Sequence, residues 1–171
     1  MDHIKQNIPN LFSIRVEEIW NILSSVNDPE IPVLSVLDLG IVRDVKVQDD
    51  FVEVIITPTY SGCPVMDFIG MNIRKVLSEN GFRNIKITHH LSPAWTTDWM
   101  TEAGKEKLRA YGIAPPVAKT FDKNYFETLK VKCPHCHSLN TKLISEFAST
   151  ACKALYQCND CGEPFDYFKC H

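Results

Sequence analysis

The chain has 171 residues, 44% of them hydrophobic and 23% charged, with a formal net charge of −3. That composition fits one large or two small globular domains and argues against disorder. It leaves no basic excess to neutralise a phosphate backbone, so nucleic acid is not an expected partner. The first twenty residues lack a basic region followed by an apolar stretch, and apolar runs are only a few residues long. Neither a secretory leader nor a membrane span is expected, and the expected location is cytoplasmic. In that compartment paired CxxC motifs read as metal ligands before they read as disulfides.

In chain order, Ser13 is placed to cap a first helix, with Glu17 and Glu18 near its positive end. Val16, Ile19, Trp20, Leu23 and Val26 recur at three- and four-residue steps and form its apolar stripe. The helix should stop before Asp28-Pro29, since a residue preceding proline avoids the helical region. Two prolines and a glycine then mark a loop. Strands are expected over Ile41–Val47 and Phe51–Thr57, joined in a hairpin through Gln48, Asp49 and Asp50. A second helix should open at Cys63-Pro64, proline suiting the first helical position, and stop at Gly81. Asn84–Leu91 alternates apolar and polar residues, as a third strand does.

The order α-β-β-α-β predicts an α+β fold: a small two-layer α/β sandwich with a mostly antiparallel sheet, followed by a C-terminal zinc ribbon. A short helix over Thr101–Tyr111 completes the N-terminal domain, 1–112. Residues 113–130 read as a linker, and 131–171 as the ribbon. The expectation is of two independent units.

The C-terminal signal is the sharper one. Cys133-Pro-His-Cys136 and Cys158-Asn-Asp-Cys161 are two CxxC pairs with twenty-one residues between them. Each pair aims two sulfurs at one point, and two such turns make a tetrathiolate cage for structural zinc, with iron as the alternative. A redox CxxC would need one pair beside a βαβ unit. His135 and His137, inside the first knuckle, read as exposed rather than ligating. Cys152 and Cys170 are left over. They are either buried thiols or, with His171, a second soft-metal site.

Cys63 stands apart from the other six cysteines, between Gly62 and Pro64. At a helix start, free N–H groups should stabilise a thiolate and lower the pKa of the thiol. Thr59, Tyr60 and Ser61 offer hydroxyls to orient a bound group. The alternative is a cysteine that only packs. Asp28 and Glu30 likewise read either as ordinary turn chemistry or as hard ligands beside that thiol.

DPEIPVLSVLDLGIV (28–42) followed by TPTYSGCP (57–64) resembles the SufT-like family of iron–sulfur assembly factors. The residues that carry the likeness are Asp28, Pro29, Glu30, Asp38, Leu39, Gly40 and Cys63. The resemblance implies a small α+β domain with a reactive cysteine in a loop at a helix start. With AWTTDWM (94–100), STACKALY (149–156), GEPFDYFKC (162–170) and the CxxC pairs, nearly the whole chain resembles the PaaD (PaaJ) family of phenylacetate degradation.

That likeness implies an accessory or maturation component of phenylacetyl-CoA epoxidase, a bacterial multicomponent monooxygenase. Its partners would be the di-iron oxygenase subunit and the reductase carrying a [2Fe–2S] cluster and flavin. Cys63, Asp28, Glu30, Thr59 and Ser61 would be the iron- or cluster-transfer residues. Consistent with a non-catalytic role, no paired Glu-x-x-His motifs and no GxGxxG occur. A homodimer bridging a cluster with one cysteine from each chain stands open at this stage. Two other readings remain. One is a structural subunit anchored through Trp95 and Trp99. The other is a thiol enzyme pairing Cys63 with His89 or His90.

Overall fold

The computed structural model describes residues 11–117 and 129–169, with side chains from residue 15 onward. In the N-terminal half, α1 (Leu11–Leu23) and α2 (Met66–Glu79) pack on a three-stranded sheet of β1 (Val42–Gln48), β2 (Phe51–Ile56) and β3 (Asn84–His89). The apolar stripes do what their spacing predicts. Ile19 and Leu23 of α1 meet Ile69, Ile73 and Leu77 of α2 and Val52, Val54 and Ile56 of β2 in one buried cluster. Ser13 lies inside α1 rather than at its cap. Gly81 ends α2 with a φ of 92°, the left-handed conformation expected of it.

The sheet is mixed. β1 and β2 form the expected antiparallel hairpin, but β2 and β3 run parallel, from Phe51 opposite Asn84 to Ile56 opposite His89. A parallel pair needs a crossover of a dozen or more residues, and α2 provides it.

Past β3, a short 3-10 turn (Thr97–Trp99) leads to α3 (Glu102–Ala110). Thr101 caps α3 by accepting from the Gly104 N–H at 2.9 Å. The motif Asp38-Leu39-Gly40 ties this segment to the loop after α1. The Asp38 carboxylate accepts from Ser35 N–H (2.9 Å), Ser35 Oγ (2.8 Å) and Lys107 Nζ (2.6 Å). The Leu39 carbonyl accepts from the Trp95 indole at 2.9 Å. Gly40 has a φ of 66°, and a Cβ there would sit 2.0 Å from the Trp99 carbonyl oxygen, so no other residue fits.

The ribbon is a four-stranded sheet in the order β4-β7-β6-β5, built from β4 (Ile113–Ala114), β5 (Thr141–Ser145), β6 (Lys153–Cys158) and β7 (Pro164–Phe168). β4 opens the stretch expected as linker, yet it pairs in parallel with β7, Ile113 opposite Asp166 and Ala114 opposite Tyr167. Most of that expected linker, 118–128, lies outside the described residues, as do Cys170 and His171. The ribbon has its own core of Val131, Cys133, Ala154, Tyr156, Cys158, Phe165 and Tyr167. Two of its residues, Cys152 and Phe168, belong instead to the N-terminal core, where Phe168 meets Trp95 edge-on at 6.1 Å. Among the described residues no helix is long and apolar enough to cross a membrane.

Candidate metal and thiol sites

The two CxxC turns meet at one end of the ribbon. The sulfurs of Cys133, Cys136, Cys158 and Cys161 all lie within 4.8 Å of one another. Cys133 Sγ is 3.8 Å from Cys161 Sγ, and Cys136 Sγ is 3.5 Å from Cys158 Sγ. A tetrahedral zinc–thiolate centre, with Zn–S of about 2.3 Å, sets its sulfurs about 3.8 Å apart. The four residues therefore fit zinc. It would supply a crosslink between two hairpin ends, with every ligand position filled. His135 and His137 are exposed beside it.

Cys63 sits elsewhere, on the loop between β2 and α2. It is half-buried, between exposed Gly62 and Pro64, so the corner is open to solvent. Gly62 is required for its φ of 84° alone, since a Cβ there would meet nothing within 4 Å. α2 begins later than the proline implies. Val65 is its cap residue and Met66 its first.

The expected lowering of the Cys63 pKa is overturned. Burial pushes the thiol up. The Val65 N–H and the Tyr60 hydroxyl both bond to the sulfur and favour the thiolate, as a helix start should. Desolvation is the larger effect, and the nearby Glu30 and Asp28 carboxylates add to it. Tyr60 is itself pushed up to about 12, first by burial and then by the sulfur it donates to.

The DPE turn divides its labour. Asp28 Oδ1 accepts from the N–H groups of Glu30 (2.7 Å) and Ile31 (2.9 Å), which closes the turn. Its carboxyl is raised by burial, against the pull of those two N–H groups and of Lys153. Asp28 is thus a buried turn residue, and Glu30 is the half-buried carboxylate that the turn presents. Facing Glu30 is a thiol from the ribbon. Cys152 Sγ donates to Glu30 Oε2 at 3.7 Å and lies 3.0 Å from Thr150 Oγ1. Burial holds the Cys152 pKa up at about 11, helped by Glu30 and Asp28. Sequence reasoning kept Cys152 apart from Cys63; the fold sets both against the same carboxylates.

Other expected site residues fall differently. Thr59 and Ser61 line a hollow of about 140 Å³ together with Thr57, Tyr60, Leu91 and Trp95. Cys63 is not in its lining, so only Tyr60 serves both places. Trp95 is 3% exposed and Trp99 is half-buried with the Arg43 guanidinium 3.5 Å from its ring, so neither is the exposed anchor a structural subunit would use. His89 and His90 are exposed, and neither is among the leading influences on the Cys63 thiol.

An α+β domain with a thiol on its β2–α2 loop, carrying a tetrathiolate ribbon, defines a class. Residues 16–81 match the family model described as iron–sulfur cluster assembly protein, and residues 118–169 match that described as PaaD zinc beta ribbon domain. The N-terminal half is similar to the crystal structure of a domain of unknown function, DUF59, from Bacillus anthracis. There the TM-score is 0.53 and the identity 27%, over 56% of this chain and 92% of that one.

Over 165 residues the chain is 48% identical to an Escherichia coli (strain K12) protein named as a component of 1,2-phenylacetyl-CoA epoxidase, covering 96% of this chain and 99% of that one. It belongs to the PaaD family. A Porphyromonas gingivalis protein named Fe-S protein maturation auxiliary factor is 43% identical over 101 residues, 58% of this chain and 95% of its own.

Proposed function

We propose that this chain is a cytoplasmic maturation factor that assists insertion of iron or an iron–sulfur cluster into phenylacetyl-CoA epoxidase, and that it does not itself catalyse epoxidation. The near-full-length identity to a protein named as a component of that enzyme supports the recipient. The likeness of the N-terminal half to a maturation factor supports the activity. The observation that carries the reading is Cys63, a half-buried thiol at an open corner, set under the influence of Glu30 and Asp28 and separate from the closed ribbon quartet.

In this reading Cys63 rests protonated, and an arriving iron(II) ion displaces the thiol proton into solvent. The cation also relieves the crowding between sulfur and carboxylates. A thiolate with carboxylate oxygen holds iron less firmly than four thiolates do, which suits a donor that must let go. The zinc ribbon serves as a docking and scaffolding element.

The test is to co-produce the oxygenase and reductase with either the wild-type chain or Cys63→Ser. The variant should fold, yet leave the recipients several-fold poorer in iron. Full metal loading of both recipients beside Cys63→Ser would refute the donor role.

A permanent structural subunit is the second reading. It is favoured by Phe68 and Met71, 47% and 59% exposed and one turn apart on α2, just after the Cys63 loop. Co-purification with the oxygenase in fixed stoichiometry would support it.

A further inference from the structure

We infer that the ribbon supplies the second thiol of the cargo site: Cys63, Cys152 and Glu30 together hold a divalent cation of the iron(II) kind at the seam between the two halves of the chain. The inference rests on the assembly reading above in taking a cation as cargo. It adds a ligand from the ribbon and assigns that module a chemical role besides docking.

Cys152 is not a spare member of the zinc quartet. It immediately precedes β6, whereas the quartet's Cys158 ends that strand. At ~3.3 Å per residue, six residues of strand put the two roughly 20 Å apart. The packing agrees. Cys133 and Cys158 sit in the ribbon's own core, while Cys152 is buried in the core of the N-terminal half.

A thiol placed there for packing alone would be surrounded by apolar groups. Instead its sulfur points at Glu30 Oε2, 3.7 Å away. Glu30 is held in place by the turn that Asp28 closes. The same carboxylates act on Cys63, and the Tyr60 hydroxyl that bonds Cys63 also senses Cys152 and Glu30. The nearest lysine, Lys153, is paired with Asp166 at 3.1 Å.

Two soft sulfurs and one hard carboxylate oxygen, crowded in a partly desolvated seam, lack only a cation to balance them. Binding balances simply. The divalent ion takes both sulfurs and one carboxylate oxygen, two thiol protons leave to solvent, and no electron moves.

The donors are not drawn together as tightly as in the ribbon. Among the described residues only the quartet gathers three or more donors within 4.8 Å. Closing the seam site therefore requires the Cys63 side of it to move inward, and the open loop between Gly62 and Pro64 is the part free to do so. A site that must close on its ion also opens to release it.

The experiment uses the full chain, anaerobic and with its ribbon already loaded with zinc, titrated with cobalt(II) alone. Zinc outranks cobalt for thiolate sites, so the quartet stays zinc. Wild type should take up one further cobalt with a thiolate-to-cobalt charge-transfer band. Cys152→Ser should bind it at least about tenfold more weakly, as loss of even an outer-sphere partner costs 10–100-fold, with roughly half the band intensity. Glu30→Gln should weaken binding and leave the band intensity unchanged.

Zinc content of one per chain in each variant shows that the ribbon is intact. X-ray absorption at the cobalt edge of zinc-loaded wild type, which needs no variant, should count two sulfur scatterers. If Cys152→Ser matches wild type while Cys63→Ser loses the band, or if the edge data give a single sulfur, the ribbon thiol has no part. The Cys63 reading would survive that result. If wild type takes no second cobalt at all, both fall together.

Discussion

One strand, β6, links two sulfur sites of opposite character. At its C-terminal end Cys158 joins three other cysteines whose sulfurs already stand at zinc-binding distances. Just before its first residue, Cys152 meets a carboxylate from the other half of the chain, with Cys63 beyond it. The quartet is complete, made only of thiols and built from local turns. The seam mixes sulfur with oxygen and is assembled from loops distant in sequence. A metal that must stay is given four identical donors that need no partner domain. A metal that must leave is given fewer, unlike donors and a joint that can open.

The largest effect that tests this contrast is loss of the ribbon metal. Structural zinc contributes on the order of 10 kcal/mol in small domains. Chelation should therefore abolish the ribbon's β signal in circular dichroism and open it to protease. Because β4 lies in the ribbon sheet and Phe168 packs on Trp95, the N-terminal half should survive folded but melt several degrees lower. An unchanged melting temperature for that half would show that the seam is not a shared core.

A smaller effect sharpens the division of labour within the DPE turn. Asp28→Ala removes two hydrogen bonds to a buried acceptor and should cost about 1–3 kcal/mol by denaturant titration. Asp28→Asn keeps the accepting oxygen and removes the desolvated charge, so it should match or exceed wild type at neutral pH.

The sign follows from the direction of the shift. The folded-state pKa of Asp28 is raised above the ordinary 3.8. Its favourable contribution is therefore full below that value and is lost as pH rises through the native pKa. The Asn variant should gain on wild type as pH climbs from about 3.5 to 7. A variant that loses its cobalt or iron capacity while remaining stable would make Asp28 a ligand and not a turn residue.

How much of this was legible in the sequence depends on how local each feature is. The CxxC pairs announced their site because two turns need only the right spacing. The α-β-β-α-β order followed from periodicity. Strand direction did not, although the long connection through α2 was the available sign that β2 and β3 would be parallel. Asp38-Leu39-Gly40 was recognised as part of a family pattern, and its work is architectural: a carboxylate staple, an accepting carbonyl and a backbone that only glycine permits.

The Cys63 pKa was misjudged because a helix start is visible in sequence, whereas desolvation by tertiary packing and two carboxylates is not. Trp95 read as an interface anchor, yet its indole is spent on Leu39 inside the core. The Glu30–Cys152 contact spans 122 residues, and its sole trace was a fifth ribbon cysteine with no place in the quartet.

The most direct test of two unlike metal sites in one chain is elemental and sulfide analysis of the anaerobically purified protein, wild type beside Cys63→Ser. The account predicts one zinc per chain in both, with additional iron, alone or with sulfide, in the wild type only. One zinc and nothing else in each, unchanged by the substitution, would contradict it.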